Sequence, residues 1–174
     1  MLITTKELKS MSDFKDVDEK ILERKMKAIE IAIREHTHNN FQNKQIRFIT
    51  FSLNNKLNGS SPYLKVGDTI EITESINQGL YTIKEINDGS ITFNEDIYDS
   101  EHNLITKIEY PADIIEGAIG LLKWNLENAD KVGIASETLS RHSVSYKTLD
   151  GNNTIKGYPA ELFGFCNTYM KARF

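Results

Sequence analysis

A chain of 174 residues with 21 lysines and arginines, 25 aspartates and glutamates and a net charge of −4 is 39% hydrophobic and 26% charged. Those proportions suit a globular protein of one domain, or one domain carrying a smaller inserted module, and give no sign of a nucleic-acid-coating chain. One cysteine, Cys166, excludes an intrachain disulfide, and no apolar run approaches the roughly 18 residues of a membrane span.

No signal-peptide run opens the chain, so the cytosol is the expected compartment and the sequons at Asn58 and Asn152 are silent. Charge is uneven along the chain. Residues 1–38 hold eight basic and eight acidic side chains, 39–60 three basic and no acidic, 61–110 three basic and ten acidic, and 111–174 seven of each. The acidity sits in one internal block, which predicts a separate surface environment for it.

Thr4 or Thr5 ahead of Glu7 and Leu8 predicts a short capped helix, and Asp16 to Asp18 place acids at the positive end of a longer one. From Asp18 to His36, Ile21, Leu22, Met26, Ile29, Ala32, Ile33 and His36 recur at three- and four-residue intervals. Glu19, Lys20, Glu23, Lys27 and Glu30 are left to water. After the polar turn Asn39–Asn43 the period drops to two through Ile46, Phe48, Ile49 and Phe51. Runs over 64–73, 79–86, 90–97 and 103–110 follow, with Asn87-Asp88-Gly89 as a hairpin signal. Residues 46–110 thus read as four or five short antiparallel strands, a small barrel or sandwich.

Pro111 suits the first position of a central helix that carries Ile114, Ile115, Ala118, Ile119, Leu121, Leu122, Trp124 and Leu126 and stops at Gly133. Ser143–Tyr146 before Asp150-Gly151, then Thr154 and Ile155, predict a two-stranded ribbon. Pro159 opens a last helix with Leu162, Phe163, Cys166, Tyr169 and Met170 on one face, and Lys171-Ala172-Arg173-Phe174 forms a tail. The fold class expected is α+β: a helical bundle of long N-terminal, central and C-terminal helices, with an inserted small antiparallel β module and a β-ribbon. Its domains are 1–45 with 110–174, and 46–109.

Chemistry-bearing patterns are sparse. His36 and His38 form an H-x-H pair without a third ligand at a familiar spacing, at a helix end that favours a cationic imidazole in any case. Cys166 falls on an apolar stripe, as a core thiol does. His142 lies among serines but without a nucleophile elbow, and no glycine spacing cradles phosphate. Asp88, Glu95 and Asp96 could be imagined as a two-metal site, yet such acids on strands commonly keep an edge soluble. Lys44, Arg47 and Lys56 interleaved with Phe41, Phe48 and Phe51 suggest a single-strand stacking platform, against the plainer reading of a strand with a basic outer face. Neither catalytic residues nor a cofactor or metal is expected.

Two stretches carry a resemblance. Leu2-Ile3-Thr4-Thr5-Lys6-Glu7-Leu8-Lys9 with Phe14 and the long helix before Asn40-Phe41 is one. Ile134-Ala135-Ser136-Glu137-Thr138-Leu139, Ser143-Val144-Ser145-Tyr146 and the Pro159 helix ending in Tyr169-Met170-Lys171 is the other. Together they resemble the head-to-tail connector (adaptor) proteins of long-tailed bacteriophages and prophages over roughly residues 1–45 and 110–174. The strand block, with Gly67-Asp68-Thr69-Ile70 and Gly79-Leu80-Tyr81-Thr82-Ile83, looks like a module inserted between the first long helix and the central helix, one that the smallest members lack.

The resemblance implies a non-enzymatic virion protein at the head–tail junction, made in the host bacterial cytoplasm. It would form a dodecameric ring under the portal and present a surface to the stopper or tail-completion protein. Double-stranded DNA would pass without specific binding, and no membrane is involved. Ser136, Glu137, Ser143 and Tyr146 would serve the ring interface. The basic, aromatic tail Lys171, Ala172, Arg173 and Phe174 would dock to the portal. The alternatives are another neck protein (a stopper or tail-completion protein, mostly β), a nucleic-acid-binding module using Lys44, Arg47 and Lys56, and a small enzyme with perturbed carboxylates in a pocket.

Overall fold

A computed structural model describes residues 2–128, 136–139, 142–145 and 153–172. The chain divides into two compact units, one of residues 40–110 and one of Leu2–Asn39 with Pro111 onward.

The first unit is all β. Strands β1 (Gln42–Leu53), β2 (Lys56–Asn58), β3 (Thr69–Thr73), β4 (Gly79–Asn87), β5 (Ser90–Phe93) and β6 (Ser100–Ile108) close into a barrel in the order β1-β2-β5-β4-β3-β6. Every neighbouring pair is antiparallel. Closure removes the unpaired edges that an open sheet would expose. Leu57, Leu64, Ile70, Ile72, Ile83, Ile91, Phe93, Ile97 and Ile105 fill the interior, with Phe48 and Tyr81 packed against them. Asp88 and Gly89 both take positive φ (48° and 77°) in the β4–β5 turn, and Asn54 and Asn55 (54° and 62°) do the same between β1 and β2. Tight hairpins need that conformation, and Asn, Asp and Gly adopt it at least cost.

The second unit begins with α1 (Thr5–Ser10), capped by Thr4. The Thr4 Oγ1 accepts from the Glu7 N–H at 3.2 Å while Glu7 Oε2 accepts from the Thr4 N–H at 2.9 Å, a reciprocal capping box. A 3-10 turn, Ser12–Phe14, leads to α2 (Glu19–Thr37), whose first amides donate to the Asp18 carboxylate and whose end is a left-handed His38. Leu22, Met26, Ile29, Ala32 and Ile33 are buried. Ile21 is exposed and Glu30 buried, the reverse of the sequence assignment, because Glu30 lies one turn beyond Met26 on the same stripe.

α3 (Ala112–Asn128) buries Ile114, Ala118, Leu121 and Leu122. Two hairpins follow, β7 (Ser136–Leu139) with β8 (His142–Ser145) and β9 (Thr154–Ile155) with β10 (Tyr158–Pro159). The single ribbon expected from Ser143 to Ile155 is therefore two separate pairs.

Residues Ala160–Tyr169 form a 3-10 helix instead of the expected α-helix. Phe163 and Cys166, three residues apart, are its buried residues and share one edge at three residues per turn.

The expected helical bundle with a small β module is thus overturned. Six barrel strands hold as many residues as the three α-helices, one α-helix has six residues, and the C-terminal helix is not α. β1 alone runs for 12 residues, beginning within the stretch read as a polar turn. Among the described residues no helix is long and apolar enough to cross a membrane.

Candidate functional site

The chemical candidates are dispersed by the fold. Asp88 sits at the β4–β5 turn, whereas Glu95 and Asp96 follow β5 at its other end, so the strand separates Asp88 from Glu95 while Glu95 and Asp96 remain neighbours. No cluster of three metal-ligating side chains exists among the described residues. Cys166 is buried and its thiol is pushed up to about 12, chiefly by desolvation and then by the charge of Asp113, which leaves it protonated and unreactive.

His36 and His38 line a polar hollow of about 530 Å³ with Glu35, Lys156 and Met170. Lys156 pairs with Glu35. The His36 ring meets Phe163 edge-on at 5.2 Å, and desolvation first, then the neighbouring His38 and Lys156 charges, hold its pKa below the usual histidine range. Both effects favour the neutral imidazole at His36. His142 lies on β8, in a segment described by its backbone alone.

The basic-aromatic platform is split as well. Phe48 packs into the barrel, Phe41 is buried against Tyr110 at 5.0 Å, and Phe51 points outward, half exposed. Arg47 donates through Nε to Thr106 Oγ1 at 2.9 Å. Of the three aromatics, one is left to stack a base.

Of the residues expected at the ring interface, Ser136 and Glu137 lie on β7 opposite Ser145 and Val144, and Ser143 lies on β8 opposite Thr138. Tyr146 lies outside the described residues. Of the tail, Lys171 and Ala172 are exposed and the Lys171 N–H donates to the Thr37 carbonyl at 2.8 Å, while Arg173 and Phe174 lie outside the described residues. This bond fixes where the tail leaves the second unit, next to Asn39, whose Nδ2 donates to the Tyr169 carbonyl.

One feature of the barrel escaped the reading from sequence. Through its first half β1 turns Ile46 and Phe48 inward and Arg47 outward. Beyond it the pattern inverts. Thr50 and Ser52 point inward and are buried, while Ile49 (61% exposed), Phe51 (48%) and Leu53 (47%) face water.

Inside, the inversion is fully satisfied. Thr50 Oγ1 donates to the Asn58 carbonyl at 2.8 Å and Ser52 Oγ to the Tyr98 carbonyl at 2.7 Å. Buried Asn77 donates to Ser52 Oγ, the Tyr98 carbonyl and Asn103 Oδ1, and accepts from the Tyr98 N–H at 2.7 Å. Among the described residues no buried side-chain nitrogen or oxygen lacks a partner. The network holds the loops after β3 and β5, which display Ile76 and Tyr98 at 71% and 70% exposure. Outside, a groove of about 470 Å³ runs between Phe51, Ser52 and Leu53 on one flank and Asp99, Ser100 and Glu101 on the other, where the β1–β6 register shifts between Thr50 and Ser52. A strand whose period-2 pattern reverses midway is the signal that could have revealed it.

No family model matches the chain, and no curated protein matches it.

Proposed function

We propose that the protein is a structural head-to-tail connector of a long-tailed bacteriophage or prophage. It works at the virion's head–tail junction as a ring seated under the portal, which extends the DNA channel and receives the stopper or tail-completion protein. The observation that carries the reading is a coincidence of two divisions. The stretches bearing the resemblance, at either end of the chain, fold as one compact unit of Leu2–Asn39 and Pro111 onward, and the strand block between them forms a unit of its own. Within the second unit Tyr169 donates to both Asp113 oxygens at 2.8 and 2.9 Å, and Lys123 pairs with Asp13 at 2.7 Å, so remote parts of the chain are held as one subunit body.

The acidic barrel fits a component of a DNA conduit, because walls of the same sign as phosphate release no counterions and do not retard the duplex. Its role is structural, and its partners are further copies of itself, the portal and the next neck protein. Electron microscopy of the purified protein mixed with its portal is the test. The expected image is a closed ring below the portal, with the protein alone sedimenting as small species. Absence of a ring, or a steep salt-dependent shift with duplex DNA, would overturn the reading.

A further inference from the structure

We propose that the outer face of β1 at the far end of the barrel is a docking strip for the C-terminal tail of a second copy of this chain. The strip is Ile49, Phe51 and Leu53, flanked on the β6 side by Asp99 and Glu101. Inverting the pattern here exposes three large apolar side chains in a row on a strand whose inner face is fully bonded.

The occupant follows from spacing and charge. Alternate residues of an extended strand lie about 6.6 Å apart, so Ile49 to Leu53 span about 13 Å. In the sequence Met170-Lys171-Ala172-Arg173-Phe174 the apolar residues alternate in the same way with two cations. Met170 is half exposed and extended (φ −65°, ψ 130°), so the chain enters the tail in the required conformation. An extended tail lying along β1 would set Met170, Ala172 and Phe174 against the strip, and the long stems of Lys171 and Arg173 on its other face would bend round its edge to bring their charges to Asp99 and Glu101. Lys56, paired with Leu53 across the β2 side, makes the opposite orientation unfavourable.

Tail and strip are different surfaces, so the contact is heterologous, the kind that builds a ring when the rotation between copies closes. This gives the tail a neighbouring subunit where its sequence suggested the portal. The proposal rests on the connector reading only for the presence of a second copy.

The test is nuclear magnetic resonance of the full chain titrated with a synthetic peptide of residues Asn167–Phe174. Saturable shifts are expected at Ile49, Phe51, Leu53 and Glu101, and Phe51→Ser should weaken binding about tenfold without a change in melting, since Phe51 is a surface residue. A peptide with Lys171→Glu and Arg173→Glu should not bind the native chain but should regain binding to Glu101→Lys. No saturable shift up to millimolar peptide, shifts centred elsewhere, or undiminished binding by Phe51→Ser would overturn the proposal. So would tail occupancy that is independent of protein concentration, which would mean the chain's own tail fills the strip. Peptide binding without a ring on the portal would remove the connector reading and leave this contact standing.

Discussion

Cys166 and His36 lie in the second unit, and both are governed by desolvation. With its thiol pushed up to about 12, Cys166 should resist iodoacetamide at pH 8 in the folded protein and react within minutes after unfolding. Mass spectrometry of timed aliquots checks this. For His36 the folded pKa lies below the unfolded value of 6.5, so on acidification through that value the unfolded chain takes up a proton that the folded chain refuses. Stability contributed by neutral His36 is present above pH 6.5 and is lost as pH falls below it toward the folded pKa. Melting temperature should therefore drop between pH 7 and pH 5.5, and His36→Gln should flatten the drop. An unchanged slope in the variant would mean that His36 does not carry the effect.

Gly117 shows how one residue sets the approach of two elements. A Cβ at that position of α3 would lie 2.4 Å from the ring of Phe165, which stacks on Phe163 at 6.3 Å. Alanine in a helix interior gains about 1 kcal/mol of propensity over glycine, yet overpacking against a held ring costs about 1–3 kcal/mol. Gly117→Ala is expected to be destabilising in chemical denaturation, and adding Phe165→Leu should recover most of the loss. In the barrel, Asn77 is the corresponding keystone. Asn77→Ala would leave Ser52, Asn103 and both polar backbone groups of Tyr98 without that partner, at about 2–4 kcal/mol for the buried set. Hydrogen exchange at the Tyr98 amide should accelerate first. Continued protection there would mean that water or a neighbour replaces the side chain.

The barrel's entry and exit lie together. Gln42 pairs with Ile108, the Glu109 N–H donates to the Phe41 carbonyl at 2.9 Å, and Phe41 packs on Tyr110. A short Gly/Ser linker can span that gap, so replacing residues 41–109 should leave Leu22, Met26, Ile33, Ile114, Leu122 and Phe163 able to form their core. Circular dichroism should show a cooperative melt in the deleted protein. A broad, non-cooperative transition would mean that the second unit needs the barrel to fold.

Legible in the sequence were the features that depend on neighbours a few residues away. Thr4 with Glu7, the α2 stripe from Leu22 to Ile33, the Asp88-Gly89 hairpin and the buried character of Cys166 all follow from local spacing and backbone preference. Closure of six strands does not. It depends on β2, three residues long, bridging β1 to β5, and a segment that short carries almost no periodic signal. The 3-10 form of Ala160–Tyr169 was not legible, because Leu162, Cys166 and Met170 stand four apart as an α-helix would have them. The exposed strip lay furthest out of reach. Nothing in the run through Ile49, Phe51 and Leu53 says which face is outer until Thr50 and Ser52 are seen bonded inside by Asn58, Asn77, Tyr98 and Asn103, partners that only long-range strand pairing brings together. An isolated strand has two equivalent faces, and which one is the interior is decided by what the rest of the chain offers it.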